Sequence, residues 1–182
     1  MISKDVVAQL INGELDWERT KSSISGPKDE DRFDKYVEVL QEKSTFVKSK
    51  IVLPLGEHLN IVDKEGKYIT KCDCRYEFGD YRINWKLNAL IRVLDTREKL
   101  LEVYEDSPGF PDPELCDVRE FYCPGCARLL EVEAVAKGYP IVFDFLPDLE
   151  AFYRDCLERP LPTKSEFKDL TYELTKEWSE KN

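Results

Sequence analysis

The hydrophobic positions of this chain change period twice. Near the N-terminus they recur at helical spacing: Val6, Val7, Leu10 and Ile11 share one face of "SKDVVAQLING". Ser3 is placed to cap that helix and Gly13 to end it. "SSISGPKDE" (22–30) then reads as a polar loop carrying Gly26 and Pro27. Phe33, Tyr36, Val37 and Leu40 fall at i, i+3, i+4 and i+7. They predict a second amphipathic helix, whose stripe suits either a core or a partner's groove.

From residue 50 the period shortens. "KIVLPLG", "LNIVD" and "KYITKCD" are β-rich runs broken by Pro54, Gly56 and Gly66, the pattern of hairpins or a meander. "LNALIRVLD" (87–95) is apolar enough for a central strand, and "TREKLLEVYED" (96–106) suits a short helix opened by Asp95 or Thr96. After the proline-rich loop "SPGFPDPEL" (107–115) come two more strands, "CDVREFYC" and "RLLEVEAV". In the second, Leu130, Val132 and Ala134 alternate with Glu131 and Glu133. The helical period returns at Leu149, Phe152, Tyr153, Cys156 and Leu157, between Pro147 and Pro160. A last helix is expected in the tail, with Thr163 and Glu166 as a capping box and Phe167, Leu170, Leu174 and Trp178 as its stripe.

Composition narrows the function classes. The chain has 182 residues, enough for one domain, of which 42% are hydrophobic, enough for a core. Lys and Arg total 27 against 37 Asp and Glu, a formal net charge of −10. That balance repels phosphate backbones and no Lys/Arg-rich run offsets it, so no nucleic-acid partner is expected. "MISKDVVAQLING" has neither the apolar stretch nor the cleavage site of a secretory signal. No segment reaches the ~18–20 apolar residues of a membrane span, so no membrane partner is expected either. The expectation is a cytoplasmic protein. There thiols stay reduced, and close-set cysteines point to metal or redox chemistry before disulfides.

Four of the six cysteines fall in two close pairs, Cys72 with Cys74 and Cys123 with Cys126, while Cys116 and Cys156 stand alone. A tetrahedral zinc site needs four sulfurs at ~2.3 Å from the ion, supplied by two tight turns that face each other. Pro124 and Gly125 let one turn wrap so that both sulfurs point inward, and C-D-C is a tighter version of the same device. Each pair follows strand-like sequence, "KYIT" and "REFY". These spacings predict one zinc held by Cys72, Cys74, Cys123 and Cys126. The fold class that follows is α+β: a small antiparallel β-rich, zinc-ribbon-like centre with amphipathic helices at both ends. Three segments are expected: an N-terminal helical arm over 1–49, a β-rich zinc-binding core over 50–146 and a C-terminal helical segment over 147–182.

Other readings of the cysteines are weaker. A redox-active Cys123–Cys126 pair should open a helix, but "ARLLEVEAV" alternates like a strand. The spacings of common iron–sulfur motifs are missing. Four thiolates would close the zinc's coordination shell, whereas a catalytic zinc keeps a position for water. The single histidine, His58, reads as a surface residue of the turn "LGEHLN". No phosphate-binding loop, dinucleotide fingerprint, nucleophile elbow or zinc-protease motif is present. Asp144 and Asp148 could in principle form an acid–base pair, but solvated faces and helix caps are the default among so many carboxylates. The aromatic stretch "YPIVFDFLPDLEAFY" (139–153) suits a core or an interface anchor equally. No catalytic or cofactor-binding residue is therefore assigned.

Taken together, "PKDEDRFDKYVEVLQE", "IVLPLG", "NWKL", "REFYCPGC", "LLEVEA" and "YPIVFDFLPDLEAFYRDCLERPLP" resemble one family. It is the small gamma subunit of acetone carboxylase and the related acetophenone carboxylase. The likeness runs from about residue 27 to 162 and is most specific from Cys123 to Pro162. It implies a subunit of a cytoplasmic, hetero-oligomeric ligase that carboxylates a ketone with bicarbonate at the expense of ATP, giving a β-keto acid. It also implies larger, hydantoinase-like alpha and beta partners that hold the ATP and divalent-metal sites, and a zinc-bearing gamma chain that is itself non-catalytic. The family's zinc cysteines map onto Cys72, Cys74, Cys123 and Cys126. After the first pair, acetone-type members resemble C-x-C-G-H-x-F-C, whereas here Arg75 and Tyr76 stand for Gly-His and Gly79 for the last cysteine. The alternatives to such a subunit are a free-standing zinc-ribbon adaptor and a thiol redox enzyme.

Overall fold

The computed structural model describes residues 2–46, 48–106 and 108–180. Three helices come first: α1 (Lys4–Ile11), α2 (Trp17–Ser25) and α3 (Arg32–Lys43). Ser3 Oγ accepts the Val6 N–H at the head of α1, and Gly13 takes a left-handed φ of 69° just beyond its end. α2 begins before the segment expected to be a loop (22–30) and takes its first four residues, Ser22 to Ser25. Asp16 caps it through the Arg19 N–H, but its sequence, WERTKSSIS, has too few apolar residues for a periodic signal.

Four strands follow: β1 (Lys50–Pro54), β2 (Leu59–Lys64), β3 (Lys67–Cys72) and β4 (Glu77–Asp80). They form an antiparallel meander in the order β1-β2-β3-β4. Both faces of this sheet are covered, so consecutive residues such as Ile51 and Val52 in β1 and Ile61 and Val62 in β2 are all buried. One face sets Ile51 and Val62, with Phe46, against Val37 and Leu40 of α3. Val37 and Leu40 of the α3 stripe thus pack on the sheet, with all four stripe residues half-buried, while the buried residue of α3 is Val39, outside the stripe. The opposite face sets Val52, Ile61, Tyr68 and Tyr81 against Leu149 and Tyr153 from the C-terminal segment. There Tyr153 Oη donates to the Val52 carbonyl at 3.0 Å, and Phe33 meets Phe152 edge-on at 5.1 Å.

The second sheet contains β5 (Leu90–Leu94), β6 (Cys116–Tyr122) and β7 (Leu129–Ala136), antiparallel in the order β5-β6-β7. The apolar run at 87–95 is thus an edge strand rather than a central one. Its first residues belong to a 3-10 turn, Trp85–Asn88, capped by Asn84. The central strand is β6. α4 (Arg97–Leu101), capped by Thr96, lays Leu100 over Leu94 and Val118.

At the C-terminal end, α5 (Leu149–Ala151) is capped by Asp148 and widens at once into a π-helical turn, Phe152–Cys156. The chain then crosses the β3–β4 side of the first sheet as an extended strap. Thr163 N–H donates to Tyr68 Oη at 2.8 Å, Ser165 Oγ meets Tyr81 Oη at 2.8 Å, and Leu170 N–H donates to the Arg82 carbonyl at 2.9 Å. Thr163 and Glu166 therefore form no capping box. The last helix, α6 (Thr171–Glu180), begins later, where Asp169 accepts the Thr171 N–H. The side chain of Trp178, expected in its stripe, lies outside the described residues. Among the described residues no helix is long and apolar enough to cross a membrane.

Candidate metal centre

Each sheet delivers one cysteine pair at the tip of a hairpin. β3 ends on Cys72 and turns through Asp73, Cys74 and Arg75 toward β4, while β6 leads into Cys123, Pro124, Gly125, Cys126 and Ala127 before β7. Backbone hydrogen bonds close the first turn, from Cys72 N–H to Tyr76 O and from Arg75 N–H to Cys72 O, both 2.9 Å. The second closes from Cys123 N–H to Arg128 O at 2.9 Å and from Ala127 N–H to Cys123 O at 2.8 Å. In both, the residue after the second cysteine is left-handed, Arg75 at φ 83° and Ala127 at φ 55°. That region is costly for any residue but glycine. Two dissimilar sequences thus make the same knuckle.

The knuckles face each other closely. A Cβ on Gly125 would lie 3.0 Å from Tyr76 Cβ and 3.2 Å from Cys74 Sγ, so only glycine lets the two turns approach this far. The sulfurs of Cys72, Cys74, Cys123 and Cys126 all lie within 4.8 Å of one another. Across the knuckles, Cys72 and Cys126 are 3.9 Å apart and Cys74 and Cys123 3.5 Å apart. A tetrahedral zinc with ~2.3 Å bonds needs sulfur–sulfur edges of about 3.8 Å, so the donor set fits such an ion. All six cysteines are free thiols. Cys116 and Cys156 stay apart from the cluster, Cys116 donating to the Asp112 carbonyl at 3.4 Å.

Opposed forces act on the thiols. Burial pushes those of Cys72 and Cys123 above the ordinary value. At Cys74 burial acts upward too, but the Tyr76 backbone N–H and the neighbouring thiols outweigh it and leave the group lowered. Other backbone N–H groups point at sulfur, that of Cys74 toward Cys72 and those of Gly125 and Cys126 toward Cys123. The amides favour thiolate charge and burial opposes it. A dication among the four sulfurs would remove that conflict.

The surroundings tie the clasp to both sheets. Tyr76, Phe78, Trp85 and Phe121 form a chain of edge-to-face contacts at 5.0, 5.5 and 6.1 Å, crossing from the first sheet to the second beneath the cysteines. Buried Cys72 and Cys123 pack in the same cluster. On the outer side Asp73 accepts from Asn60 Nδ2 at 3.0 Å and lies 3.8 Å from Arg128 of the opposite knuckle. His58 Nδ1 sits 3.1 Å from the Asp73 carboxylate and 3.3 Å from Arg128 Nη1. The histidine read as a plain surface residue is therefore part of a polar latch over the clasp. Only the fold reveals this, because His58 and Arg128 belong to turns of separate sheets and meet where the two knuckles face each other.

A family model described as acetone carboxylase gamma subunit matches residues 45–157, more than half of the chain and including both cysteine pairs. This chain belongs to the acetone carboxylase gamma subunit family. The acetone carboxylase gamma subunit of Xanthobacter autotrophicus is 38% identical over 166 residues, covering 90% of this chain and 98% of that protein. The acetophenone carboxylase beta subunit of Aromatoleum aromaticum is 32% identical over 80 residues, covering 43% of this chain and 62% of that one.

A second cluster in this gamma-family chain carries no motif. Lys86, fully buried in the 3-10 turn, places its ammonium 2.6 Å from Glu131, 3.0 Å from Asp144 and 3.3 Å from Glu133. It also lies 5.2 Å from the Phe121 ring centroid. Burial alone would lower its pKa, but Glu131 and Asp144 outweigh burial and hold it above the ordinary lysine value. Glu131 is raised, because its own burial exceeds the pull of Lys86. The candidate pair Asp144 and Asp148 is thereby divided, one on Lys86 and the other capping α5. In the aromatic stretch, Leu149 and Tyr153 are core, while Tyr139 and Phe145 stay about half exposed, at 48% and 57%.

Proposed function

We propose that this chain is the zinc-holding, non-catalytic gamma subunit of an ATP-dependent ketone carboxylase. In this reading it sits in a cytoplasmic hetero-oligomer with larger, hydantoinase-like alpha and beta subunits. Those partners carry the ATP and divalent-metal sites and join acetone or acetophenone to bicarbonate, giving a β-keto acid. Identity to the Xanthobacter gamma subunit along nearly its whole length carries the proposal.

Cys72, Cys74, Cys123 and Cys126 are the residues that would hold the zinc. Four thiolates leave a tetrahedral ion no position for water or substrate, which supports a structural role. The ion would lock two hairpins from separate sheets, and such binding supplies an apparent ~10–16 kcal/mol in zinc-finger peptides. A dithiol redox role fits less well, because strand β7 rather than a helix follows Cys126.

The test is purification of the tagged chain from its native cells, with metal and activity assays of the product. Two larger chains, about one zinc per copy and ATP-dependent ketone carboxylation are expected together. A stable zinc-bearing monomer without partners would instead support an adaptor. Loss of carboxylation in Cys126→Ser, with zinc and assembly intact, would overturn the non-catalytic role.

A further inference from the structure

We propose that the cleft between the α3–β1 segment and the first knuckle binds a small oxyanion, a phosphate or carboxylate group. The cleft has a volume of about 220 Å³ and is lined by Lys48, Lys64, Lys71 and Arg75, with Phe46 in its wall. Four cations converge there in a chain whose formal charge is −10. A cleft with four cations and one acid, Glu65, in its lining carries an excess of positive charge and attracts counter-charge.

The local carboxylates offset only part of that charge. Glu77 alone serves two ammonium groups, Lys64 at 2.7 Å and Lys71 at 3.0 Å. Lys71 is 7% exposed and its ammonium lies 5.1 Å from the Phe46 ring centroid, so it is held in place at the wall. Glu65 is the acid within the lining. Arg75 donates through Nε to Thr45 Oγ1 at 3.2 Å, which fixes its side chain and leaves the outer guanidinium fork without a carboxylate among the described residues. Lys48 has no ion pair among the described residues either.

Arg75 is also strained, at φ 83°, directly after Cys74. The knuckle turn sets that conformation, as it does at Ala127, so the aim of the Arg75 side chain comes from its hydrogen bond to Thr45. A guanidinium fork beside ammonium point charges is the chemistry that recognises phosphates and carboxylates. The cleft is smaller than the ~300–1,000 Å³ of pockets for drug-sized ligands, which favours a single oxyanion group over a whole nucleotide.

The experiment is calorimetric titration of the full-length, zinc-loaded chain with inorganic phosphate and, separately, with acetate, at ionic strength fixed with sodium chloride. Saturable binding of one anion per chain is expected. Preference for phosphate assigns a phosphate ligand, and equal or tighter acetate binding assigns a carboxylate. Lys48→Gln and Arg75→Gln should each weaken binding at least about tenfold, with zinc content unchanged. If Arg75→Gln loses zinc, Lys48→Gln still decides, because it lies off the knuckle. No saturable binding of either anion, or wild-type affinity in Lys48→Gln, would overturn the proposal.

Discussion

Replacing Gly125 with alanine tests the closest approach of the two knuckles. The new methyl group would sit 3.0 Å from Tyr76 Cβ, 3.2 Å from Cys74 Sγ and 3.3 Å from Tyr76 Cδ2. Carbon contacts are optimal at ~3.5–4.0 Å, so the knuckles must separate by several tenths of an ångström. Overpacking of this kind costs about 1–3 kcal/mol. Gly125 is not left-handed, so alanine adds no backbone strain there. Alanine also restricts the unfolded chain, a gain of about 0.4–1 kcal/mol. The net loss is about 1–2 kcal/mol. Because the methyl presses on Cys74 Sγ, one of the four proposed ligands, zinc affinity should fall with stability, by about tenfold for each 1.4 kcal/mol. Urea unfolding of the zinc-loaded chain and a competitive chelator titration read the two quantities. Gly56→Ala, with nothing within 4 Å of its Cβ, is the control and should show only the unfolded-chain gain of about 0.4–1 kcal/mol, with zinc affinity unchanged. If Gly125→Ala behaves like that control in both assays, the knuckles do not meet as described.

Lys86→Met should destabilise the chain by about 3 kcal/mol, as for deletion of one partner in a buried ion pair. The value is at the low end of such losses because Asp144, at 52% side-chain exposure, can be resolvated. The Lys86 pKa is raised on folding, so its contribution is complete below the ordinary lysine value and disappears as pH rises through the raised one. The wild-type advantage over Lys86→Met, followed by denaturant unfolding, should therefore shrink under alkali; an advantage independent of pH there would contradict the ion-pair assignment. Ala127→Gly should stabilise by roughly 0.5–1 kcal/mol, since relief of the left-handed φ outweighs the added chain entropy. A lowered melting temperature in that variant would contradict the knuckle geometry.

The strands and the clasp were readable in the sequence because their signals are local. "KIVLP" and "LNIVD" are short β-rich runs bounded by Pro54 and Gly56, Leu130, Val132 and Ala134 alternate with Glu131 and Glu133, and C-D-C and C-P-G-C each encode a tight turn. The misses have physical causes. α2 is nearly all polar and rests on its Asp16 cap rather than on a stripe. β4 holds one large apolar residue, Phe78, and so has no period to detect. Leu90–Leu94 is apolar like a buried strand yet lies at an edge, where Leu90 is 55% exposed. Thr163 and Glu166 have capping-box spacing, but Tyr68 and Glu150 bind the strap's backbone first. Lys86 and His58 gain their partners from sheet register and a returning loop, which spacing along the chain does not record.

X-ray absorption at the zinc edge of the purified chain or complex tests the central claim most directly. Four sulfur ligands at ~2.3 Å, at one zinc per chain, are expected from the clasp of Cys72, Cys74, Cys123 and Cys126. A first shell containing nitrogen or oxygen, a metal other than zinc, or a chain that is folded and metal-free would contradict it.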